Sequence, residues 1–257
     1  MILELCGLPG AGKSTVARAL VTEIGRRGLE ASLPLEEVSP RRARPQRVRR
    51  KIRRAAVEAV GHPGDAVRIV RAVARSGQPG VGDVAIRSLN WLVLRAALRR
   101  SRSAAGIHVL DQGVVQELCS LAFRGDAFAA LDLGDPGPGR LGPDLVVLVD
   151  VDPAIAQERL ISRPGGESRV EGDDLDLGRE LRRQRPLLDD LLTGWTSRFG
   201  EQLPTVVECV VDRGHGVELS ALLTLLPLPD VGAGPRPDPA PVPTALNPDP
   251  TWRTSWS

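Results

Sequence analysis

The chain has 257 residues, which is enough for one large α/β domain with a sizeable core or for two small domains. Its formal net charge is only +2, so the chain as a whole is not a polyelectrolyte. No apolar run approaches the ~20 residues that span a bilayer, and Glu4 interrupts the short apolar start, so we expect a soluble, cytoplasmic protein without a signal peptide.

Three cysteines lie in apolar surroundings without metal-ligand spacing and are interpreted as reduced core thiols: Cys6, Cys119 and Cys209.

Apolar residues recur along the chain with two alternating periods, one typical of buried strands and the other of amphipathic helices. The sequence predicts strands at Ile2–Cys6, Ala31–Leu35, Ile107–Leu110, Leu145–Val149 and Thr205–Val211. It predicts helices from Lys13 to about Gly25, over Arg44–Val60, Ala66–Ala74 and Val84–Arg102, from about Val114, from Pro153 behind the N-cap Asp152, over about Asp174–Phe199 with a kink near Pro186, and over Val217–Leu226. This alternation indicates an α/β fold with a doubly wound, mostly parallel sheet.

Polar residues and glycine follow the ends of the predicted strands. They are Gly7, Glu36, Asp111, Asp150 and Arg213. Because sheets of this kind bind ligands beyond the carboxyl ends of their strands, we expect the functional site at this edge.

The clearest motif is GLPGAGKS, Gly7 to Ser14, which matches G-x-x-x-x-G-K-[ST] between a predicted strand and a predicted helix. Its glycines let backbone N–H groups approach phosphate oxygens, and the helix N-terminus adds a partial positive charge. Lys13, one of two lysines in the chain, places a cation between the β- and γ-phosphates, and the Ser14 hydroxyl is the expected Mg²⁺ ligand. The predicted nucleotide-binding residues of this loop are Gly7, Pro9, Gly10, Ala11, Gly12, Lys13, Ser14 and Thr15, the last at the α-phosphate.

Two motifs of phosphate-hydrolysing switches and motors are missing. Neither Asn90 nor Asn247 is followed by lysine, so the guanine-binding N-K-x-D pattern of GTPases is absent from the sequence. Motor ATPases usually end the third strand in Asp-Glu, whereas Asp111 is followed here by Gln112, which is also able to orient water. These two differences favour phosphoryl transfer over phosphate hydrolysis or switching.

The loop from Ser162 to Gly172 supplies the positive argument for transfer. Arg163 and Arg169 flank a Gly-Gly hinge, and further arginines follow on the next predicted helix. A mobile, arginine-bearing lid would exclude water and surround the transferring group with positive charge. The alternative is a set of solvated surface arginines in an arginine-rich chain.

The phosphate loop, Asp111 at the end of a third strand and the segment PDLVVLVDVDPAIAQERLISRPGGESR together resemble the P-loop nucleoside and nucleotide kinases, with the thymidylate kinase-like branch nearest. The resemblance covers about residues 1–226. It implies a three-layer fold around a five-stranded parallel sheet of order 2-3-1-4-5, a helical acceptor-binding insert at about 40–104 and a lid at about 162–172. It also implies ATP and Mg²⁺, with Arg159 stacking on adenine and the loop of Arg213 lining it. Gln112 departs from the family, which carries arginine there.

Acceptor chemistry stays open between a hydroxyl and a phosphate. A hydroxyl acceptor calls for a carboxylate base. The candidates are Asp111, which has a second candidate role as a Mg²⁺ ligand, and the pair Glu36–Glu37 after the second predicted strand, whose alternative interpretation is a solvated surface. A phosphate acceptor calls for arginines, and the segment RRARPQRVRRKIRR, Arg41 to Arg54, has nine basic residues in fourteen. This segment has three interpretations: a site for an anionic acceptor, a nucleic-acid patch or a solvated face.

The sequence therefore predicts an ATP- and Mg²⁺-dependent kinase. It would transfer the γ-phosphate to a nucleoside, a nucleotide or a similar hydroxylated or anionic metabolite. Lys13, Asp111, Glu36, Arg163 and Arg169 are the predicted catalytic residues, with Ser14 and Asp111 at the metal.

The alternative function is a P-loop ATPase or a nucleotide-dependent regulatory module acting on a protein or nucleic-acid partner. No nucleic-acid or membrane partner is expected for the kinase, and homodimerisation is left open. Residues 227–257 hold nine prolines in 31 residues and are predicted to be a disordered tail, in which Trp252 and Trp256 are a candidate docking element.

Overall fold

The structure is a computed structural model that describes residues 1–36, 44–123, 125, 126, 128–134, 141–162, 176–199, 205–210, 219–224 and 226. Its strands are β1 (Ile2–Cys6), β2 (Ala31–Ser32), β3 (Ile107–Leu110), β4 (Leu145–Asp150) and β5 (Thr205–Val210). Its helices are α1 (Lys13–Arg26), α2 (Arg44–Gly61), α3 (Pro63–Arg75), α4 (Val81–Ser103), α5 (Val114–Ala122), a 3₁₀ helix (Phe128–Gly134), α6 (Pro153–Ile161), α7 (Leu177–Phe199) and α8 (Leu219–Thr224). The predicted lid, the loop of Arg213 and the proline-rich tail lie outside the described residues.

The strands form one parallel sheet in the order β2-β3-β1-β4-β5. β1 is central, and Leu3 pairs with Val109 on one side and with Leu145 on the other. The predicted parallel α/β architecture is confirmed. Among the described helices, none is both long and apolar enough to cross a bilayer.

Side chains of β1 alternate between two hydrophobic cores, one on each face of the sheet. Ile2 and Cys6 lie in the core that includes residues of α3, α4, α5 and α7. Leu3 and Leu5 lie in the core that includes residues of α1, α6 and α8. The sheet is thus covered on both faces, which explains why its strands read as nearly continuous apolar runs.

Several element boundaries differ from the prediction. β2 ends at Ser32 rather than at Leu35, because Pro34 has no N–H to donate and the chain turns there, with the N–H of Glu36 donating to the Leu33 carbonyl at 3.0 Å. α3 begins at Pro63, three residues before the predicted start, since proline is favoured in the first turn of a helix. α7 runs continuously past Pro186.

α2 is oriented against its own amphipathic pattern. Its half-buried or buried positions include the charged residues Arg47, Lys51, Arg54 and Glu58. Its large apolar side chains face outward, with Val48 43%, Ile52 53%, Val57 68% and Val60 83% exposed. The solvated-face interpretation therefore fits the exposed Arg49, Arg50 and Arg53, and it describes the half-buried Arg47, Lys51 and Arg54 only in part.

The buried carboxylate of Glu4 joins the central strand to the start of α5. Its Oε2 accepts the backbone N–H of Val114 at 2.8 Å, and its Oε1 accepts those of Val115 at 2.8 Å and Gln116 at 3.2 Å. Gly113 leaves the space that the carboxylate occupies, since a Cβ there would lie 2.2 Å from the Glu4 carboxyl carbon. Glu4 acts as an N-cap for a helix that is distant in sequence, and Gly113, the residue before the helix, has no side chain to cap it.

Glu4 is predicted to make stability depend on pH. Burial raises its pKa from the usual 4.5 to about 7, although the three backbone hydrogen bonds favour the ionised form and lower it. Between these pH values the folded chain keeps a proton that the unfolded chain has released, so this stabilisation is complete below about pH 4.5 and is lost as the pH rises through 7. Relative to Glu4→Gln, the wild type should lose about 3 kcal/mol of unfolding free energy across that window. Urea titrations from pH 4 to pH 8 would measure it, and parallel curves for the two proteins would contradict the prediction.

Trp195 on α7 fixes the 3₁₀ helix against the core. Its ring is buried, and its Nε1 donates to the Gly134 carbonyl at 3.1 Å. Trp195→Ala should lower the unfolding free energy by about 3–5 kcal/mol because it leaves a large cavity. Trp195→Phe should cost about 1–2 kcal/mol, since the ring volume is largely kept and one hydrogen bond is lost. Denaturant unfolding would rank the variants, with Val60→Ala on the exposed face of α2 as the control. Equal losses for Trp195→Ala and Val60→Ala would refute this ranking.

Candidate active site

The loop between β1 and α1 turns through three glycines with positive φ, at Gly7, Gly10 and Gly12. Gly12 is the N-cap residue of α1 with φ +94°, and its carbonyl accepts the N–H groups of Thr15 at 2.8 Å and Val16 at 3.0 Å. Because Gly12 offers no side chain to cap the helix, backbone N–H groups at the start of α1 are left for an anion. The loop has the backbone geometry that an anion-binding turn requires.

Two of these glycines are also required by close contacts. A Cβ on Gly7 would lie 2.4 Å from the carbonyl oxygen of Val149, at the end of β4. A Cβ on Gly10 would lie 2.4 Å from the carbonyl oxygen of Ala156 on α6. The loop is therefore packed against both β4 and α6, which the sequence motif did not predict.

The Lys13 side chain crosses the loop that precedes it. Its Nζ donates to the carbonyl oxygens of Gly7 and Leu8, each at 2.9 Å. These bonds hold a positive charge directly over the glycine turn, where it complements the helix N-terminus in attracting an anion.

Ser14 and Asp111 meet although they are 97 residues apart, because α1 begins beside the carboxyl end of β3. The Ser14 hydroxyl donates to Asp111 Oδ2 at 2.6 Å. Hydroxyl and carboxylate oxygens are suitable ligands for Mg²⁺, which usually takes its remaining ligands from phosphates and water. In the described ranges, no group of three or more His, Cys, Asp or Glu residues is arranged to hold a metal. The residues present therefore fit Mg²⁺ held together with a phosphate ligand rather than an all-protein metal cage.

Arg159 on α6 reaches the phosphate loop from the side. Its Nη1 donates to the Ala11 carbonyl at 3.3 Å, and a Cβ on Gly12 would be 3.7 Å from the same nitrogen. This position is next to the start of α1, as the predicted contact with a nucleotide requires. Stacking on adenine itself stays a prediction.

The arginines expected around the lid have several environments. Arg185 on α7 donates to Asp150 Oδ1 at 2.7 Å and also contacts Asp189, so it ties α7 to the end of β4. The predicted catalytic residues Arg163 and Arg169, like Arg213, lie outside the described residues, and their roles stay predictions.

Glu36 is exposed in the turn that follows β2, and its neighbour Glu37 lies outside the described residues. β2 and β3 are neighbours in the sheet, so Glu36 and Asp111 both follow carboxyl ends of adjacent strands. Arg54 of α2 donates to the Pro34 carbonyl at 3.4 Å, which brings α2 to the same edge.

A buried polar network beside this edge was missed in the sequence. Lys51 Nζ donates to Asn90 Oδ1 at 3.0 Å, and the Asn90 side chain is hydrogen-bonded to Glu117 on α5. Arg87 Nη1 lies 3.9 Å from Glu117 Oε2, and both side chains are more than nine-tenths buried. The available signal was a charged residue inside an apolar helix, as in the segment VVQELCSLA around Glu117.

Burial raises the pKa of Glu117, and the charges of Arg87 and Lys51 lower it. Burial lowers the pKa of Lys51, Glu117 raises it, and Arg47 and Arg87 lower it further. Opposite charges from three helices therefore stabilise one another in a region shielded from water.

Three further side chains belong to the core or its margin: Trp91, Cys6 and Cys119. Trp91 on α4 is fully buried in the apolar core. Cys6 is buried and Cys119 is half-buried, and burial raises the pKa of both thiols, that of Cys119 to about 12. Neither thiol is ionised at neutral pH, in agreement with the expected core role.

No protein-family model matches the chain. A curated relative, the adenylyl-sulfate kinase of Myxococcus xanthus (strain DK1622), is 32% identical over 167 residues, which cover 59% of this chain and 83% of the relative. A solved structure of deoxyadenosine kinase from M. mycoides with bound dATP is similar with 14% identity and a TM-score of 0.48, covering 88% of this chain and 97% of that chain. Shikimate kinase from Acinetobacter baumannii in complex with shikimate has 15% identity and a TM-score of 0.42, with coverage of 87% and 91%. On the relationship to the curated adenylyl-sulfate kinase, and with the glycine loop and parallel sheet described above, this chain belongs to the P-loop kinase superfamily.

Proposed function

We propose that the protein transfers the γ-phosphate of ATP to a small-molecule acceptor. The observation that carries this proposal is the hydrogen bond of 2.6 Å between Ser14 and Asp111, which joins the start of α1 to the end of β3. The glycine turn and Lys13 lie at the same edge of the sheet, and these three features together support phosphoryl transfer there.

In this mechanism the backbone N–H groups at the start of α1 bind the phosphates. Lys13, whose Nζ donates to two loop carbonyls, would neutralise charge on the transferring group. Ser14 and Asp111 would hold magnesium, which would supply further positive charge to the phosphates. Arg159 lies against the loop from α6 and would orient the nucleotide.

The base that accepts the proton of a hydroxyl acceptor is assigned to Glu36. Asp111 already bonds to Ser14, and its carboxylate is needed at the metal. Glu36 is exposed, follows the neighbouring strand and so is accessible to an acceptor at the same edge. Arg163 and Arg169 would complete the site as lid residues that exclude water.

The candidate acceptors come from the family resemblance and from the name of the curated relative. Nucleosides and nucleotides follow from the kinase resemblance, and dTMP tests the thymidylate kinase-like branch. Adenylyl sulfate joins the candidates because it is the acceptor in the name of the relative. It carries both free ribose hydroxyls and an anionic group.

An acceptor panel with Lys13→Ala tests the proposal. ATP consumption is measured with nucleosides, nucleoside monophosphates, adenylyl sulfate and hydroxylated metabolites. At least one acceptor should stimulate turnover, and Lys13→Ala should lower kcat by about 100-fold or more, since it removes a charge that stabilises the transition state. Arg26→Ala, an exposed change on the same helix, should have no effect. Hydrolysis that no acceptor stimulates would instead support an ATPase or a nucleotide-dependent regulatory module.

The metal assignment is tested by Asp111→Asn. This variant keeps the size of the side chain and removes its charge, so the Mg²⁺ concentration for half-maximal activity should rise about tenfold or more. Ser14→Ala should shift it in the same direction. Asp190→Asn, an exposed change of the same type on α7, is the control. An unchanged Mg²⁺ requirement in both site variants would remove Ser14 and Asp111 from the metal site.

A further inference from the structure

The inward face of α2 is charged where helix packing normally calls for apolar residues. Arg47, Lys51 and Arg54 are half-buried and are spaced by four and three residues, so they lie on one side of the helix. The apolar Val48 and Ile52 are 43% and 53% exposed on the other side. Burial of apolar area alone would orient the helix the opposite way, and partial burial of cations costs free energy. The charge of Glu117 offsets part of this cost for Lys51, and a bound anion at this face would offset more of it.

The face lies at the edge of the sheet where the acceptor is expected. Arg54 contacts the Pro34 carbonyl just after β2, and Lys51 is bonded to Asn90 on α4. Glu117, which bonds to Asn90, is on α5, the helix that follows Asp111. Arg54 is therefore in contact with the segment that follows β2, and Lys51 is linked through Asn90 to the helix that follows β3.

Lys51 is held in place with donor capacity remaining. An ammonium has three N–H donors, and within the described ranges Lys51 makes one hydrogen bond, to Asn90 at 3.0 Å. Burial lowers its pKa, and the positive charges of Arg47 and Arg87 do so as well. A bound anion would accept the remaining N–H groups and offset this desolvation and repulsion.

Farther along the contact between α2 and α4, an arginine has acidic partners. Arg99 of α4 donates to Glu58 Oε1 at 2.8 Å and also contacts Asp65 on α3. This cluster lies towards the end of α4 that leads into β3, away from the carboxyl edge of the sheet. Acidic partners for the half-buried Arg99 are thus present in the distant half of the α2–α4 contact.

We propose that the acceptor is an anion and that Arg47 and Lys51 bind its charged group. This inference rests on the proposed kinase function and specifies its acceptor. Residues on adjacent turns of a helix are about 5–6 Å apart, a spacing that lets two cations share a phosphate- or sulfate-type group. Arginine supplies two parallel N–H donors and lysine a point charge, so both the geometry and the charge of an oxyanion are recognised.

Matched acceptor pairs test the proposal: adenosine and AMP, thymidine and dTMP, ribose and ribose 5-phosphate. The wild type should favour the phosphorylated member of the productive pair at least tenfold in kcat/KM. Lys51→Gln and Arg47→Gln should each raise the KM of that member about tenfold, as expected for loss of a charge-assisted hydrogen bond. The KM for ATP should stay unchanged, and Lys51→Arg should restore part of the affinity. Arg53→Gln, an exposed position on the same helix, is the matched control and should behave as the wild type.

Direct binding makes the result independent of turnover. Calorimetry with the full chain and a non-hydrolysable ATP analogue should detect AMP, dTMP or ribose 5-phosphate more strongly than the corresponding neutral compound. The preference should be lost in Lys51→Gln, or in Arg47→Gln if Lys51→Gln does not fold. Equal binding of both members, or equal losses in Lys51→Gln and Arg53→Gln, would overturn the anionic acceptor while leaving the kinase intact. Anion binding without turnover of any acceptor would instead overturn the kinase and keep the anion site.

Discussion

The carboxylate of Glu4, buried within the central strand, is the contact on which the geometry of the site depends. β1 leads directly into the phosphate loop, and α5 begins three residues after Asp111. By accepting hydrogen bonds from three backbone N–H groups of α5, Glu4 fixes the position of α5 relative to β1 and the phosphate loop. Its burial is unfavourable, and the helix N-terminus offsets that cost through hydrogen bonds and through the partial charge of its peptide dipoles.

The phosphate loop is held from three directions. β1 precedes it, the end of β4 and α6 lie within contact distance of Gly7 and Gly10, and Arg159 donates to the Ala11 carbonyl. The Ser14–Asp111 bond adds a tie to β3. A loop held this firmly is preorganised, so little reorganisation is needed when charge develops on a phosphate.

The parts of this architecture that depend on adjacent residues could be predicted from the sequence. The phosphate loop is such a case, because its glycines, lysine and serine are consecutive and both flanking elements have clear apolar periods. The end of β2 was less predictable, since Pro34 interrupts an apolar run whose pattern alone continues to Leu35. The cap that Glu4 provides could not be predicted, because it joins residues about 110 positions apart.

The orientation of α2 illustrates a different limit of sequence interpretation. Hydrophobic periodicity assumes that the apolar side of a helix faces the core, and here half-buried cations are on the inward side instead. Sequence patterns do not reveal which side of a helix faces inward when that orientation depends on a ligand or on a buried polar network. Asn90 and Glu117 belong to other helices, so their relation to Lys51 is visible only in three dimensions.

The placement of the two lysines has a consequence for the chemistry of the surface. Lys13 is bonded to the phosphate loop and Lys51 to Asn90, while the N-terminal amino group donates to the Gly106 carbonyl. The other permanent cations of this sequence are guanidinium groups, which keep their charge at any pH that the fold tolerates and react poorly with acylating reagents. Among the side chains of this sequence, covalent labelling of primary amines is therefore confined to Lys13 in the phosphate loop and Lys51 on α2.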